Sequence, residues 1–164
     1  LSLEIERKFL VLSDAFKLEA TERVVMRQGY LSTEPERVVR VRLSNDLDSG
    51  ERKAYLTIKG QSTDNGLSRV EWEQAIDVQE AEQLLGLCLH YPIEKTRYLV
   101  PSDEYVFEVD VFEGHNKGLI VAEIELPEAG AEFTSPKWLG AEVTHDGKYA
   151  NAALTEHPFS AWAK

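Results

Sequence analysis

The chain has 164 residues, 43% hydrophobic and 29% charged, which is the composition of an ordinary globular chain long enough for one domain with a real core. Its formal net charge of −11 argues against nucleic acid as a partner, because no basic surplus is available to replace phosphate counterions. A small polyanion held by local cations or metal ions remains compatible with that charge. Cys88 is the only cysteine, which excludes an intrachain disulfide and a thiolate metal cluster. No apolar run is long enough to span a membrane and no signal peptide is visible, so a cytoplasmic setting is expected. The start without Met fits a trimmed chain or one that lacks an upstream segment.

In chain order, short strands alternate with turn residues, and helices lie between some of them. Residues 1–10 alternate, so that Glu4, Glu6 and Lys8 share one strand face while Ile5 and Arg7 take the other. Ser13-Asp14 can cap a helical turn through Ala15-Phe16. A second strand at 24–31 carries Arg27 and Tyr30, and Glu34-Pro35-Glu36 marks a turn. Residues 38–43 alternate cleanly, with Arg40 and Arg42 opposite Val39, Val41 and Leu43. A hairpin loop at 44–50 leads to a strand at 54–59 that places Tyr55, Thr57 and Lys59 together. Residues 60–66 are expected to form a mobile loop, and 70–76 a strand aligning Glu71 with Glu73. Ala81, Leu84, Leu85 and Cys88 recur at helical spacing, predicting one amphipathic helix over 78–89. Strands follow at 93–100 with Lys95 beside Arg97, at 105–112 with Glu108 beside Asp110, and at 119–126 with Glu123 beside Glu125. The connections at 101–104 and 113–118 read as a turn and a loop. A short helix is expected at 127–133, irregular chain at 137–144, and a C-terminal helix at about 149–157, ending before Pro158. No repeat or linker divides the chain, so residues 1–164 are expected to form a single domain.

Charged residues therefore recur in pairs one residue apart, usually around an apolar residue such as Ile5, Val41, Trp72, Val109 or Ile124. The bland explanation is a set of amphipathic antiparallel strands with their polar faces in water. That explanation predicts Ser, Thr, Gln and Lys on those faces, whereas matched acidic and basic pairs fill them almost exclusively. If the strands close into a barrel with the charged faces inward, the apolar faces point outward and need cover from helices and loops. Two like charges at 4 Å cost roughly 4 kcal/mol at an effective dielectric near 20, so such carboxylates need cations among them. Lys8, Arg40, Arg42, Lys59, Lys95 and Arg97 supply part of that charge, and divalent metals, which favour carboxylate oxygens, would supply the rest. Acidic clusters for metal beside basic clusters for anion point to a polyphosphate with its metal ions, and the guanidinium fork suits phosphate oxygens.

The opening Glu4-Ile5-Glu6-Arg7-Lys8 resembles the ExExK signature of the CYTH superfamily, the triphosphate tunnel metalloenzymes. The resemblance continues in order through Arg40-Val41-Arg42, Lys59, Glu71-Trp72-Glu73, Lys95-Thr96-Arg97, Asp110 and Glu123-Ile124-Glu125, and it covers nearly the whole chain. ExExK alone is a short pattern; the ordered set of pairs is specific. The resemblance implies a mainly β (α+β) fold, a closed eight-stranded antiparallel barrel forming a charged tunnel with helices packed outside. It also implies that Lys8, Arg40, Arg42, Lys59, Lys95 and Arg97 grip the phosphates, that Glu4, Glu6, Glu123 and Glu125 lead the metal ligands, and that Glu71, Glu73 and Asp110 support metal or water. Glu108 fits the alternation alone. Mg²⁺ or Mn²⁺ is the implied cofactor, with two ions during turnover, and Glu4, Glu6, Lys95 and Tyr30 are the candidate catalytic residues.

Three functions compete. Metal-dependent hydrolysis of a triphosphate, inorganic tripolyphosphate first, fits the compact length, because nothing in the sequence builds an organic-group pocket. Thiamine triphosphatase is a variant that needs an aromatic surface at the tunnel mouth, a role for which Trp72 and Trp138 are the available residues. An adenylate cyclase would need an adenine pocket, and a non-catalytic polyphosphate-binding module would not need so many carboxylates. Tyr30 reads equally as a tunnel residue near a catalytic Lys or as core packing. His90, His115, His145 and His157 lie near loops and element ends without ligand spacing, so they read as surface residues, and Cys88 as a small hydrophobe on a helix face. Lys148 reads evenly as a phosphate contact or a solvated side chain. A homodimer is expected if an apolar outer strand face is left uncovered, an expectation that a monomer in sedimentation at high concentration would defeat.

Overall fold

The computed structural model describes residues 2–63 and 67–162. Eight strands, β1 (Ser2–Val11), β2 (Glu22–Ser32), β3 (Arg37–Asp46), β4 (Arg52–Gly60), β5 (Ser68–Ala75), β6 (Leu89–Ser102), β7 (Tyr105–Phe112) and β8 (Ile120–Glu125), are joined in the order β1-β5-β4-β3-β2-β6-β7-β8 and back to β1. Every one of these pairings is antiparallel, so the sheet is a closed barrel. β1 closes it by dividing its length: Ser2–Ile5 pairs with β5, and Glu6 to Leu10 pair with β8. Closure leaves no free edge in the ring, which is the strongest protection a sheet has against pairing with another chain.

The register puts Glu4, Glu6 and Lys8 inside and Ile5, Arg7 and Phe9 outside. The outside of β1, β7 and β8 is a hydrophobic core in its own right, built from Phe9, Phe107, Val109, Ala122 and Ile124. It is covered by Phe16 of α1 (Phe16–Glu19), by Trp138 and by Phe133, whose ring stands edge-on to both Phe9 and Phe107 at 5.8 Å. On the opposite side, α2 (Val78–Leu85) lays Ala81, Leu84 and Leu85 over Val41, Leu43 and Ala54. Leu3, Ile58, Val70 and Trp72, on the outer face of β1, β4 and β5, stay between 38% and 59% exposed.

Several boundaries differ from the sequence expectation, each for a local reason. α2 starts where Asp77 accepts from the Gln79 N–H at 2.7 Å, and it stops at Gly86 rather than at Leu89, which opens β6. Cys88 therefore sits beyond the helix, where its sulfur lies against the backbone of β2. A Cβ at Gly29 would come within 2.8 Å of it, so that position needs a glycine. The helix expected at 127–133 does not form: the chain turns at 127–130, Gly130 is a poor helix former, and the segment runs irregularly across the outer face with Phe133 against Phe9 and Phe107. Residues 137–144 are not wholly irregular: β9 (Leu139–Glu142) continues along the edge of β1 that β5 leaves. β6 also carries on through Pro101, where a turn is expected, to Ser102. The expected mobility of the loop at 60–66 falls partly on residues 64–66, which lie outside the described residues.

One helix is not packed outside the barrel. α3 (Asn151–Glu156) enters one end of it, and its Leu154 is fully buried against Tyr30, Val38, Ile93, Phe112, Leu119 and Val121. Inward positions near that end are apolar, so the alternation that carries charge in mid-strand carries packing here. Tyr149, Phe159 and Trp162 complete the plug, with the Trp162 ring edge-on to its two neighbours at 5.2 and 5.0 Å. No helix among the described residues is long and apolar enough to cross a membrane.

Arg7 shows what an outward position does. Its guanidinium donates to both carboxylate oxygens of Glu142 on β9, at 2.9 and 2.7 Å, and stands over the rings of Phe9 and Phe133. The hydrogen bonds from Arg7 hold the Glu142 carboxyl down at about 2. A lowered carboxylate stabilises the fold above its ordinary value of 4.5, and that stabilisation is lost as pH falls toward 2. Arg7→Ala should cost about 1 kcal/mol in urea unfolding near neutrality. The gap to the unsubstituted protein should close as pH is lowered from 4.5 to 2. A gap constant with pH would remove the pair from the account.

Candidate active site

The barrel encloses a cavity of about 260 Å³. Its walls carry seven acids (Glu4, Glu6, Glu71, Glu73, Glu108, Glu123, Glu125) and seven bases (Lys8, Arg40, Arg42, Lys59, Arg69, Lys95, Arg97), with Tyr30, Val38, Ala150, Asn151 and Ala152. Strand periodicity explains the collection: positions 4, 6 and 8 on β1, 69, 71 and 73 on β5, 40 and 42 on β3, and 123 and 125 on β8 all project to the same side.

Most of these charges are compensated locally. Lys59 Nζ lies 3.0 Å from Glu4 and 3.3 Å from Glu71, and Arg69 Nε lies 3.6 Å from Glu4. Arg40 donates to the Thr57 hydroxyl at 3.1 Å, and Thr57 in turn donates to Glu73 at 3.0 Å. Arg97 holds Asp110 through two hydrogen bonds of 2.8 and 3.0 Å and reaches Glu108 at 3.1 Å. Lys95 Nζ is 2.7 Å from the same Asp110. Lys8 is 3.9 Å from Glu123.

The exceptions define the chemistry. Among the described residues no carboxylate lies within ion-pair distance of Arg42, whose Nε donates instead to Gln28 at 2.8 Å, and the buried Arg40 Nε has no acceptor. No cation lies within that distance of Glu6 or Glu125 among the described residues. Burial, then the charges of Glu123 and Glu4, push the Glu6 carboxyl up to about 8. Burial, then Glu4 and Glu108, raise Glu125. Burial alone would raise Glu123 too, but Lys8 and then Arg97 hold it down at about 2. Burial would likewise raise Glu4, yet Lys59 keeps it below the ordinary value, while burial and its carboxyl partner Glu4 raise Glu71. On the basic side, burial, with Arg97 and Arg42 nearby, draws Lys95 down to about 7 against the pull of Asp110. Burial beside Arg40 and Arg97 draws Arg42 down to about 9, which leaves it charged at neutral pH.

Two of these unmatched charges, Arg42 on β3 and Glu125 on β8, lie on facing walls. In the ring order, β3 is four strands from β8 by either route, and β2 is four from β1. Arg40 and Arg42 therefore look across the lumen toward Glu123 and Glu125. A ligand spanning the cavity would meet guanidinium groups on one wall and carboxylates on the other.

Nearly every sequence-predicted residue borders this space: Glu4, Glu6, Lys8, Tyr30, Arg40, Arg42, Lys59, Glu71, Glu73, Lys95, Arg97, Glu123 and Glu125. Asp110 does not. It is 1% exposed beneath Arg97 and Lys95, and those two cations take both of its oxygens, so it anchors them and is not open to a metal ion. Tyr30 lies inside the barrel, where its hydroxyl accepts from Gln28 at 3.0 Å and not from Lys95. Lys148 lies outside the lining, 4.7 Å above the Trp162 ring. Trp138 is buried in the outer core and Trp72 faces outward, so neither forms a tunnel mouth. Sequence reasoning missed Arg69, which shares the parity of Glu71 and Glu73 but precedes the strand start expected at 70. It placed Thr57 on the face of Lys59 without giving it a role, and it missed Gln28 and Asn151, uncharged residues for which the charge pattern gave no signal.

Among the described residues no three carboxylates gather around one point as in a preformed ion cage. The donor set nonetheless suits a hard divalent cation: carboxylate oxygens along β1 and β8, one of them a buried Glu6 in need of a positive neighbour.

Comparison with known proteins agrees with this architecture. Residues 2–154 match the CYTH domain. A protein of Acetivibrio thermocellus named inorganic triphosphatase is 46% identical over 157 residues, covering 95% of each chain. One of the same name from Nitrosomonas europaea is 40% identical over 154 residues, covering 92% of this chain and 95% of the other. The solved structure of an inorganic triphosphatase superimposes with a TM-score of 0.62 at 34% identity, covering 92% of this chain and 96% of that one. With a closed barrel, an inward-facing ExExK strand and these relatives, the chain belongs to the CYTH domain family.

Proposed function

We propose that this chain is a divalent-metal-dependent hydrolase of triphosphates, with inorganic tripolyphosphate as the leading substrate, cleaved to pyrophosphate and phosphate. The observation that carries this reading is a basic wall of Arg40 and Arg42, of which Arg42 has no carboxylate within ion-pair distance among the described residues and Arg40 pairs only at the rim with Glu73 at 3.6 Å, set against the acidic side formed by Glu6, Glu123 and Glu125. The relatives named inorganic triphosphatase support it.

In this reading Arg40, Arg42, Arg97, Lys8, Lys59 and Arg69 bind the phosphate oxygens, the guanidinium groups through their planar forks. Glu4, Glu6, Glu123 and Glu125 are the oxygen donors that would hold Mg²⁺ or Mn²⁺, with Glu71 and Glu73 beside them. Bound there, such ions supply charge neutralisation and a more acidic water. Hydrolysis of a phosphoanhydride leaves little covalent work for the protein, so its share is positioning and electrostatics. Lys95, with a proton that is labile near neutrality, would offset charge on the breaking P–O bond or return a proton to the departing oxygen. Tyr30 borders the same end and orders Gln28. Among the described residues it is the single aromatic one lining the cavity, which favours inorganic phosphate over adenine or thiamine.

The direct test is incubation with tripolyphosphate, ATP and thiamine triphosphate in Mg²⁺ or Mn²⁺, followed by assay of phosphate, pyrophosphate and cyclic AMP. Tripolyphosphate should be cleaved fastest, and chelation should abolish turnover. Glu4→Ala should lower turnover by at least about 100-fold, and Arg7→Ala, on the outer face, should retain it. Metal-dependent cleavage by Glu4→Ala at the unsubstituted rate would sink the inward assignment. Binding of tripolyphosphate without product would favour a non-catalytic module.

Glu6 gives a second test. An acid raised from 4.5 to about 8 on folding destabilises the fold increasingly between those values, and fully above the upper one. Glu6→Gln should therefore abolish turnover yet raise the Tm of the metal-free protein, by more at about pH 9 than at about pH 6. An equal or opposite Tm change at the two pH values would contradict the assigned environment.

A further inference from the structure

The C-terminal helix does more than close the barrel. Asn151, its first residue, projects an amide into the basic end of the cavity, and α3 is fixed there by Leu154, which is fully buried in the plug. The amide oxygen of Asn151 accepts two hydrogen bonds, from Lys95 Nζ at 2.8 Å and from Gln28 Nε2 at 3.1 Å. Gln28 is itself fully buried, and its own oxygen accepts from Arg42 Nε at 2.8 Å. One side chain of the plug is thus tied to Lys95 directly and to Arg42 through one intermediary.

The donor inventory makes this consequential. An ammonium group has three N–H donors. On Lys95, Asp110 takes one and Asn151 a second, so the tetrahedral nitrogen has its third direction fixed, and Lys95 borders the cavity. Without Asn151, the ammonium can turn about its contact with Asp110. Likewise the Gln28 bond to Nε fixes the plane of the Arg42 guanidinium and leaves its outer N–H groups for a ligand. Gln28 also donates to Tyr30 at 3.0 Å, so its two-sided amide is held in one orientation by three partners.

We propose that Asn151 is a positioning residue of the active site, aiming Lys95 directly and Arg42 through Gln28, and that the C-terminal segment is thereby part of the anion-binding machinery. The proposal rests on the triphosphate reading above. It assigns the two arms different effects: Gln28 serves Arg42, a binding group, whereas Asn151 serves both Arg42 and Lys95, the group to which that reading gives a part in bond cleavage.

The experiment measures kcat and KM for tripolyphosphate with Mg²⁺, the Kd of tripolyphosphate by calorimetry without divalent ions, and Tm, all on the full chain. Gln28→Ala should raise KM and the metal-free Kd about tenfold with kcat within about twofold, and Asn151→Ala should raise both and also lower kcat about tenfold. Arg7→Ala, which destabilises the outer face and removes none of these hydrogen bonds, should lower Tm and leave the kinetic constants and Kd within about twofold. Asn151→Leu, which keeps bulk and drops the acceptor, takes the place of Asn151→Ala if the latter does not fold. Unchanged constants in the Asn151 variant overturn the proposal, as does an Arg7→Ala protein that shows the same losses, since general destabilisation then suffices. Unsubstituted protein that neither binds nor cleaves tripolyphosphate overturns the triphosphate reading and this inference with it. Normal activity in both unsubstituted and Asn151-substituted protein overturns this inference alone.

Discussion

Lining one closed barrel with fourteen ionisable groups, seven of each sign, is the constraint on which the rest of this structure depends. Like charges a few ångströms apart in such a space cost several kcal/mol, so the interior exists only because acids and bases are interleaved. Lys59 between Glu4 and Glu71, and Asp110 beneath Lys95 and Arg97, are the clearest instances. Removing one partner of such a buried set strands the other and costs about 3–5 kcal/mol, far more than a surface pair contributes. The pairing is incomplete at Glu6, Glu125 and Arg42, and that incompleteness is informative. A metal ion and a polyanion bring the charges that these positions lack, so folding and ligand binding draw on one electrostatic account.

Turning the charges inward has a second consequence. The apolar faces then point out, and each needs its own cover. α1, Phe133 and Trp138 cover the side formed by β1, β7 and β8, and α2 covers β3 and β4. Hydrophobic burial in this protein therefore happens mostly around the barrel, where it stabilises the walls without competing for the lumen. The exception is the plugged end, where Ile93, Phe112 and Val121 turn inward to receive Leu154. Glu73 and Glu108, with side chains 39% exposed, keep contact with solvent. The site is a blind, charged pocket whose floor is made by the C-terminal segment.

Much of this was legible from residue order. Strand alternation is local, with a period of two, so the inward set Glu4, Glu6, Lys8, Arg40, Arg42, Glu71, Glu73, Lys95, Arg97, Glu123 and Glu125 follows from sequence once a barrel is assumed. Asp110 shows the limit of that reasoning. Its parity is right, but its depth is set by Arg97 and Lys95 on the neighbouring strand, and no periodicity reports depth. Arg69 was hidden by a boundary, because the start of β5 is decided by its pairing with β1 and not by its own composition. The helix expected at 127–133 failed for the converse reason, since an irregular path through Gly130 sets Phe133 against Phe107, a tertiary contact that local spacing does not report.

The sequence by itself determined the strand faces, the inverted polarity of the barrel and the family resemblance, because each is carried by near neighbours or by ordered motifs. Only the tertiary structure decided that α3 enters the barrel, that Asn151 meets Lys95 and Gln28, and that the surplus of positive charge stands opposite the surplus of negative. Those facts join positions 28, 95 and 151, which are far apart in the chain and are brought together by ring closure and by the return of the C-terminus. An uncharged amide such as Asn151 leaves no pattern in sequence. Its meaning comes from the two donors that the fold places beside it.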